Sequence, residues 1–329
     1  MKYFFVLNPG SRGGKSKTCF HRVFAFLNQL QLDYAYGLTD NLNDAYVLSR
    51  KANEMNYDVI VAVGGDGTIN KVLNGFYDDG GRKISTAAMG VLYTGTSPDF
   101  CKSYNIPFDL ESGLETLKDH HIVKIQIGKI VLAKSFIPDY KNKPVTNEPS
   151  FYTRYFSCCA NIGMGAALAR HANNGIRKKI GDFGGTLFSL LKSLKCYEPS
   201  NFHIIRDDKT CKVEKMFNLS VGKTFYIASG IKVNSELKEG DSCFYCLTIK
   251  DMRFFDLIPC LKLIYSGNKI QNNRFAFLEY CKSIHILGNN TCPEVEFDGD
   301  PQGFLPCHIQ MADESLDLIV RKRWIKKNA

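Results

Sequence analysis

The chain has 329 residues, 44% of them apolar and 23% charged, with 27 glycines and 11 prolines. That composition excludes a disordered or low-complexity polymer and is enough for one large domain or two ordinary ones. A formal charge of +9 suits nucleic acid, an acidic membrane surface or a phosphate-bearing substrate, and equally a merely solvated basic surface.

No apolar run reaches the roughly 18–20 residues of a spanning helix; the longest candidate, around Phe254–Tyr265, is interrupted by Asp256, Pro259 and Lys262. The apolar start Met1–Leu7 stops at Asn8-Pro9-Gly10, too soon for a signal peptide. The expectation is a soluble, non-secreted, cytoplasmic protein. Twelve cysteines without framework spacing, and a single CxxC at Cys243–Cys246, read as buried free thiols.

In chain order, Lys2–Leu7 reads as a strand closed by a Gly-rich turn, and Lys17–Leu30 as a helix with Phe20, Val23, Phe24, Leu27 and Leu30 on one face. Tyr34–Leu38 follows as a strand and Asn43–Met55 as a helix. Asp58–Val63 (DVIVAV) is a β-branched run suited to a strand buried on both faces. Gly64-Gly65-Asp66-Gly67-Thr68 ends it, and the next helix is predicted over Ile69–Phe76. Thr86–Leu92 is a further strand, ending in Tyr93-Thr94-Gly95-Thr96. This alternation predicts a three-layer α/β nucleotide-binding domain with a mostly parallel sheet.

Beyond about Ile122 the texture changes. Ile122–Phe136 and Phe151–Ala160 alternate as strands around a polar Pro-containing loop, and Ala166–Cys196 reads as a long helical stretch with glycines near 181–185. Short strands follow at Phe202–Arg206, Lys212–Val221, Thr224–Ser229, Ser242–Lys250, Ser283–Leu287, Glu294–Phe297 and Leu316–Val320. The expectation is a mostly antiparallel β-sandwich domain with inserted helices, the boundary falling near 120–130.

The chemistry concentrates in three loops. After a buried strand, the glycines of GGDGT let a phosphate approach main-chain N–H groups, and the following helix presents its positive end to the same anion. An Asp in that turn makes sense if it organises Mg²⁺ or a reacting hydroxyl. The first loop, Asn8-Pro9-Gly10-Ser11-Arg12-Gly13-Gly14-Lys15-Ser16, misses the Walker A pattern because Pro9 stands where Gly is required. It remains a flexible loop with Arg12 and Lys15 suited to phosphate. Thr94-Gly95-Thr96-Ser97-Pro98-Asp99-Phe100 closes the third strand, and parallel-sheet logic brings all three loops to one crevice.

These blocks resemble the diacylglycerol kinase catalytic-domain family, which includes bacterial lipid kinases and is related to sphingosine and ceramide kinases. The matching segments are NPGSRGGK at 8–15, GGDGTINKVLNG at 64–75, GTSPDFCKSYNIP at 95–107, NIGMG at 161–165 and FDGD at 297–300. The chain departs from the family at Lys71 (usually Glu), Ser97-Pro98, Gly165, Cys243 (an Asp of a second Mg²⁺ site) and Asp300 (usually Glu). The resemblance implies a two-domain kinase using ATP and Mg²⁺ in an interdomain cleft. Nucleotide binding would fall to residues 1–130, with a tail from about 310–329 packing back, and lipid binding to 131–309. Phosphate contacts are expected from Asn8, Pro9, Ser11, Arg12, Gly13, Lys15, Gly64, Gly65, Gly67, Thr68, Asn70, Gly95 and Thr96. Asp66 would organise Mg²⁺ and the phosphates, and Asp298 or Asp300 would be the base toward the acceptor hydroxyl.

Transfer of the ATP γ-phosphoryl group to diacylglycerol is the leading expectation. Other lipid acceptors, NAD kinase activity and an inactive nucleotide-binding relative are the alternatives. With no spanning helix, the enzyme would meet its lipid at the membrane surface as a peripheral protein. Anionic phospholipid would face Arg170, Arg177, Lys178, Lys179, Lys192 and Lys195, or Arg321-Lys322-Arg323-Trp324. No nucleic-acid partner is expected, and a homodimer is compatible with the sequence.

Overall fold

The computed structural model describes residues 1–14, 16–135, 151–171, 197–227, 231–238, 240–287, 294–298 and 300–322. Two compact units emerge: Met1–Ile127 with the segment from Ala312, and Gly128–Met311.

In the first unit, the strands are β1 (Lys2–Leu7), β2 (Asp33–Leu38), β3 (Val59–Gly64), β4 (Ala88–Tyr93), β5 (Ile122–Ile125) and, from the far end of the chain, β18 (Leu316–Ile319). They form a sheet in the order β2-β1-β3-β4-β18-β5. All neighbours are parallel except β18 and β5. The helices α1 (Lys17–Gln29), α2 (Leu42–Glu54), α3 (Asp66–Asn74), α4 (Asp99–Ser103) and α5 (Leu110–Asp119) supply the crossovers and outer layers. Phe20, Val23 and Leu27 of α1 and Leu114 and Leu117 of α5 pack in one core with Tyr3, Phe5, Leu7, Val59, Val61 and Val63. On the other helical pair, α2 lies so close to α3 that a Cβ on Gly75 would stand 2.5 Å from Ser49 Cβ. Val59–Val63 are fully buried, as a strand covered on both faces must be. Each such aliphatic side chain contributes about 1.5–3 kcal/mol.

Helix α2 starts at a capping box: Asn41 Oδ1 accepts from the Asn43 amide at 3.0 Å and Asp44 accepts from the Asn41 amide at 2.9 Å. Helix α3 starts three residues earlier than the periodicity predicts. Gly65 is its N-cap and Asp66 its first residue, so most of GGDGT is the first helical turn rather than a loop.

The second unit holds β6 (Gly128–Ala133), β7 (Phe151–Phe156), β8 (Cys159–Gly163), β9 (Ser200–Arg206), β10 (Lys209–Gly222), β11 (Tyr226–Ile227), β12 (Ile231–Lys232), β13 (Phe244–Lys250), β14 (Ala276–Cys281), β15 (Ile284–Ile286), β16 (Glu294–Phe297) and β17 (Asp300–Met311). Its sheet runs β14-β13-β10-β8-β16-β17-β15-β9, with β6 and β7 branching from β17 and a further β9–β10 pairing. Its pairings are antiparallel. The two longest strands turn the corners of this sandwich. Strand β10 pairs β9 through Lys209–Met216 and β8 and β13 mainly beyond it, with register shifts at Val213/Met216 and Met216/Asn218. Strand β17 passes from β16 to β6 and β15, shifting register between Phe304 and Cys307, where Pro306 has no N–H for the ladder. The enclosed core includes Phe156, Phe202, Met216, Phe244, Val295, Phe297 and Leu305.

Several sequence expectations need correction. The single strand expected over Ile122–Phe136 is two, β5 and β6, placed in different units. Phe151–Ala160 likewise divides at Ser157-Cys158, a two-residue bend between β7 and β8. Within the expected Thr224–Ser229 strand, β11 covers Tyr226–Ile227, and 228–229 lie outside the described residues. Strands β14 and β17 were not expected. Nor was helix α7 (Leu257–Ser266); Pro259 lies in its first turn, where a missing N–H costs nothing. Of the long stretch Ala166–Cys196, helix α6 (Met164–His171) covers the beginning and 172–196 lie outside the described residues. Among the described residues, no helix is long and apolar enough to cross a membrane.

Candidate active site

In the first unit, strand order reverses between β1 and β3, since β1 leads outward to β2 and β3 leads the other way to β4. Loops at the C-terminal ends of strands diverge at such a point and open a crevice. Asn8 stands at the end of β1 and organises this place. Its amide donates to Val63 O at 3.0 Å, its Oδ1 accepts from the Gly10 amide at 2.9 Å, and its carbonyl accepts from Ser16 Oγ at 2.6 Å. Its Nδ2 donates to Thr68 Oγ1 at 2.8 Å, tying the first loop to the opening turn of α3. Pro9 follows in the turn, and Arg12 and Gly13 both adopt left-handed backbone (φ 52° and 66°) with Gly14 at φ 91°. For Arg12 that conformation costs roughly 1–2 kcal/mol, and its side chain is exposed. Lys15 lies outside the described residues.

The second and third loops meet through glycine backbones. A Cβ on Gly95 would lie 2.5 Å from Gly65 Cα and 2.7 Å from the Tyr93 hydroxyl, and one on Gly64 2.4 Å from Thr68 Oγ1. Gly67 is different, since a Cβ there would meet only Leu42, at 3.6 Å. Ser11 Oγ donates to Thr94 O at 3.2 Å, so all three loops are laced together. Thr96 is exposed on the third loop, while Thr68 and Asn70 are buried. Asn70 accepts from Asn74 Nδ2 through both its carbonyl (2.8 Å) and its side chain (3.2 Å), which places it within the body of α3.

Asp66 accepts from the Asp99 amide at 3.2 Å. Asp99 is itself buried, and sequence reasoning assigned it no role, although its place within the third loop was the available signal. Burial raises the Tyr93 hydroxyl far above its ordinary range, and the charges of Asp66, Cys101 and Asp99 raise it further. The Cys101 thiol is raised by burial and then by Asp66. Two carboxylates, half-buried Asp66 and buried Asp99, thus stand near one another at the N-terminus of α3. Oxygen donors of this kind fit Mg²⁺, which commonly takes one or two carboxylates with substrate phosphates. Among the described residues, no group of three or more His, Cys, Asp or Glu side chains forms a self-sufficient metal site.

In the second unit, Asp298 follows β16 with left-handed backbone (φ 50°), not the extended conformation that would point it the same way as Asp300. Its Oδ2 accepts from the Ser157 amide at 2.9 Å and Ser157 Oγ at 3.1 Å; its Oδ1 accepts from the amides of Cys158 at 3.0 Å and Cys159 at 3.4 Å. This carboxylate holds the bend between β7 and β8 in place. Asp300 opens β17; its side chain lies outside the described residues. Nearby, buried Glu296 accepts from Asn161 Nδ2 at 2.7 Å, Asn161 accepts from Ser220 Oγ at 2.6 Å, and the Gly165 amide donates to Asn218 Oδ1 at 2.8 Å. The NIGMG block is therefore built into a buried polar network.

Comparison with known proteins agrees with this geometry. Residues 2–130 match the diacylglycerol kinase catalytic domain, and residues 159–320 match the YegS C-terminal NAD kinase beta sandwich-like domain. The chain is 23% identical over 303 residues to a diacylglycerol kinase of Staphylococcus saprophyticus, covering 92% of this chain and 89% of that protein. A Staphylococcus haemolyticus diacylglycerol kinase is 24% identical over 305 residues, with coverage of 92% and 83%. Among solved structures, a diacylglycerol kinase from Bacillus anthracis superposes with a TM-score of 0.65 at 17% identity, covering 98% of this chain and 97% of that one. Another chain from the same organism gives 0.72 at 18% identity, with 98% of each covered. Two matched domains in the family's order, on a sheet and sandwich of the family's fold, make this chain a member of the diacylglycerol kinase catalytic-domain family.

Proposed function

We propose that the protein transfers the γ-phosphoryl group of ATP to a lipid hydroxyl, with diacylglycerol the first acceptor to test and phosphatidic acid its product. Family membership implies ATP use; the relatives named diacylglycerol kinase suggest the acceptor. The observation that carries the reading is the lacing of three strand-end loops at the switch point, Asn8 to Thr68, Ser11 to Thr94 and Gly65 against Gly95. It fixes a glycine-lined floor beside the N-terminus of α3, where first-turn N–H groups lack partners within the helix and favour phosphate.

Phosphoryl transfer needs positioning and charge neutralisation more than covalent chemistry from the protein. Asp66, with Asp99, would hold Mg²⁺, which when bound neutralises the ATP phosphates. Arg12 supports phosphate from the first loop. Of the two candidate bases, Asp298 is committed to the amides of the β7–β8 bend and serves as a positioning group, which leaves Asp300 of the same FDGD block as the residue proposed to take the proton of the acceptor hydroxyl. The acceptor would reside in a bilayer, making the enzyme a peripheral membrane protein.

Replacing Asp66 with Asn keeps its shape and removes its charge. Turnover with ATP and diacylglycerol in mixed micelles should fall by about two to four orders of magnitude, with the fold retained by circular dichroism. Wild-type turnover in Asp66→Asn would remove Asp66 from the reaction.

A further inference from the structure

Helix α7 and the turn before it carry an apolar stripe to the surface of the second unit. Phe255 is 87% exposed, Ile258 65% and Tyr265 39%. With exposed Lys262, these residues stand at spacings of three, four and three, which is one face of a helix. The opposite side is anchored: Cys260 is buried and α7 packs against β12. An aromatic ring and an isoleucine this exposed run against the usual placement of large apolar side chains.

The surroundings of the stripe are basic. Between Lys250 and Arg274 the chain has five Lys or Arg against two Asp. Arg253 and Arg274 lie exposed toward the N-terminal end of α7 and Lys269 beyond its C-terminal end. Arg274 pairs with Asp256 and Lys269 with Glu236 at 2.7 Å, while Lys262 lies within the stripe itself. From this we infer that α7 is the segment by which the protein seats on a bilayer bearing anionic lipid headgroups. Phe255, Ile258 and Tyr265 enter the boundary between headgroups and acyl chains, and the cations rest on the phosphates.

Size and charge favour a bilayer over a protein partner. A stable protein interface buries about 800 Å² on each side, far beyond three side chains on a ten-residue helix. An interfacial helix needs only a shallow apolar face with Lys and Arg at its rim. Apolar burial and attraction to anionic headgroups then add, the second weakening with salt. The inference deepens the proposed reaction, because a lipid acceptor has to be met at a surface. Its test is separate, because binding can be read without nucleotide.

The experiment is flotation of the full chain, without ATP, on vesicles of phosphatidylcholine and on vesicles of phosphatidylcholine and phosphatidylglycerol in equal parts. The wild type should float with the anionic vesicles and lose binding as salt rises. The paired substitution Phe255→Ser and Ile258→Ser should weaken partition at least about tenfold, and Lys262→Glu should weaken it on anionic vesicles only. Leu38→Ser, at an exposed apolar position of β2 (55% exposed), should leave partition unchanged. As a second reading, the indole introduced by Phe255→Trp should be quenched by lipids brominated along the acyl chain. Wild-type partition in the paired variant, absence of that quenching, or α7-dependent dimerisation in place of vesicle binding would each overturn the inference. Flotation through α7 by a protein that phosphorylates no lipid would instead refute the proposed reaction and leave this surface standing.

Discussion

Gly65 and Gly95 face each other across the second and third loops, and it is Gly95 that leaves no room for a side chain. Gly95→Ala forces a Cβ to within 2.5 Å of Gly65 Cα and 2.7 Å of the Tyr93 hydroxyl, so the third loop must move. We expect a loss of about 1–3 kcal/mol in a denaturant titration and a clear loss of ATP affinity. Gly67→Ala meets only Leu42 at 3.6 Å, and alanine in a helix is favourable, so stability should hold or rise; a large fall would contradict the packing described. Asp298 offers a second test at this scale. Removing its carboxylate with Asp298→Ala orphans the amides of Ser157 and Cys158, a cost of about 1–3 kcal/mol. Asp298→Asn retains one acceptor oxygen and should recover part of that stability. Equal stability of both variants with the wild type would dismiss the capping role. The glycine turn after β3 was legible in the sequence because a buried β-branched run ending in GGDGT needs a tight turn there. The backbone contacts of Asp298 were not, because they join it to Ser157 and Cys158 some 140 residues earlier.

At the scale of elements, β1 to β4 and helices α1 to α3 could be read because their periodicities are uninterrupted and their ends carry turn residues, whereas α4 and α5 were not anticipated. Strand β17 could not, since Pro301, Gly303 and Pro306 break its alternation while its pairing partners β16, β15 and β6 impose the strand. Its contact with β15 also has a pH consequence. The rings of His285 and His308 stack with centroids 3.8 Å apart. Burial lowers the pKa of His308 to about 4, helped by His285 and Lys129, and burial likewise lowers that of His285 despite an opposing pull from Asp208. A folded-state pKa below the unfolded value near 6.5 means that the unfolded chain binds protons first. This contribution is therefore full above pH 6.5 and is lost as pH falls toward 4. Stability measured from pH 7 to 4 should decline, and His308→Phe should make the decline shallower. An unchanged slope would show that the stacked pair does not sense pH.

For the whole molecule, the order of the motif blocks carried more information than any block alone. It connected a GGDGT turn to a β-rich second unit that composition could only outline. The return of β18 into the first sheet, between β4 and β5, was invisible to local pattern. Leu316–Ile319 reads as any short strand, and its neighbours lie some two hundred residues earlier in sequence. Lys83 reaches Asp317 at 2.6 Å and Lys124 reaches it at 3.2 Å, fastening this strand where local propensity says nothing about its partners. The proposed reaction is phosphoryl transfer from ATP to a lipid alcohol at the laced loops. It is tested most directly by incubating the protein with γ-labelled ATP and Mg²⁺ in mixed micelles of diacylglycerol, with sphingosine, ceramide and NAD in parallel. Label should pass into the organic phase with a lipid acceptor, diacylglycerol foremost, and nearly vanish with Asp66→Asn. Label transferred only to NAD, or to no acceptor while ATP still binds, would contradict the claim.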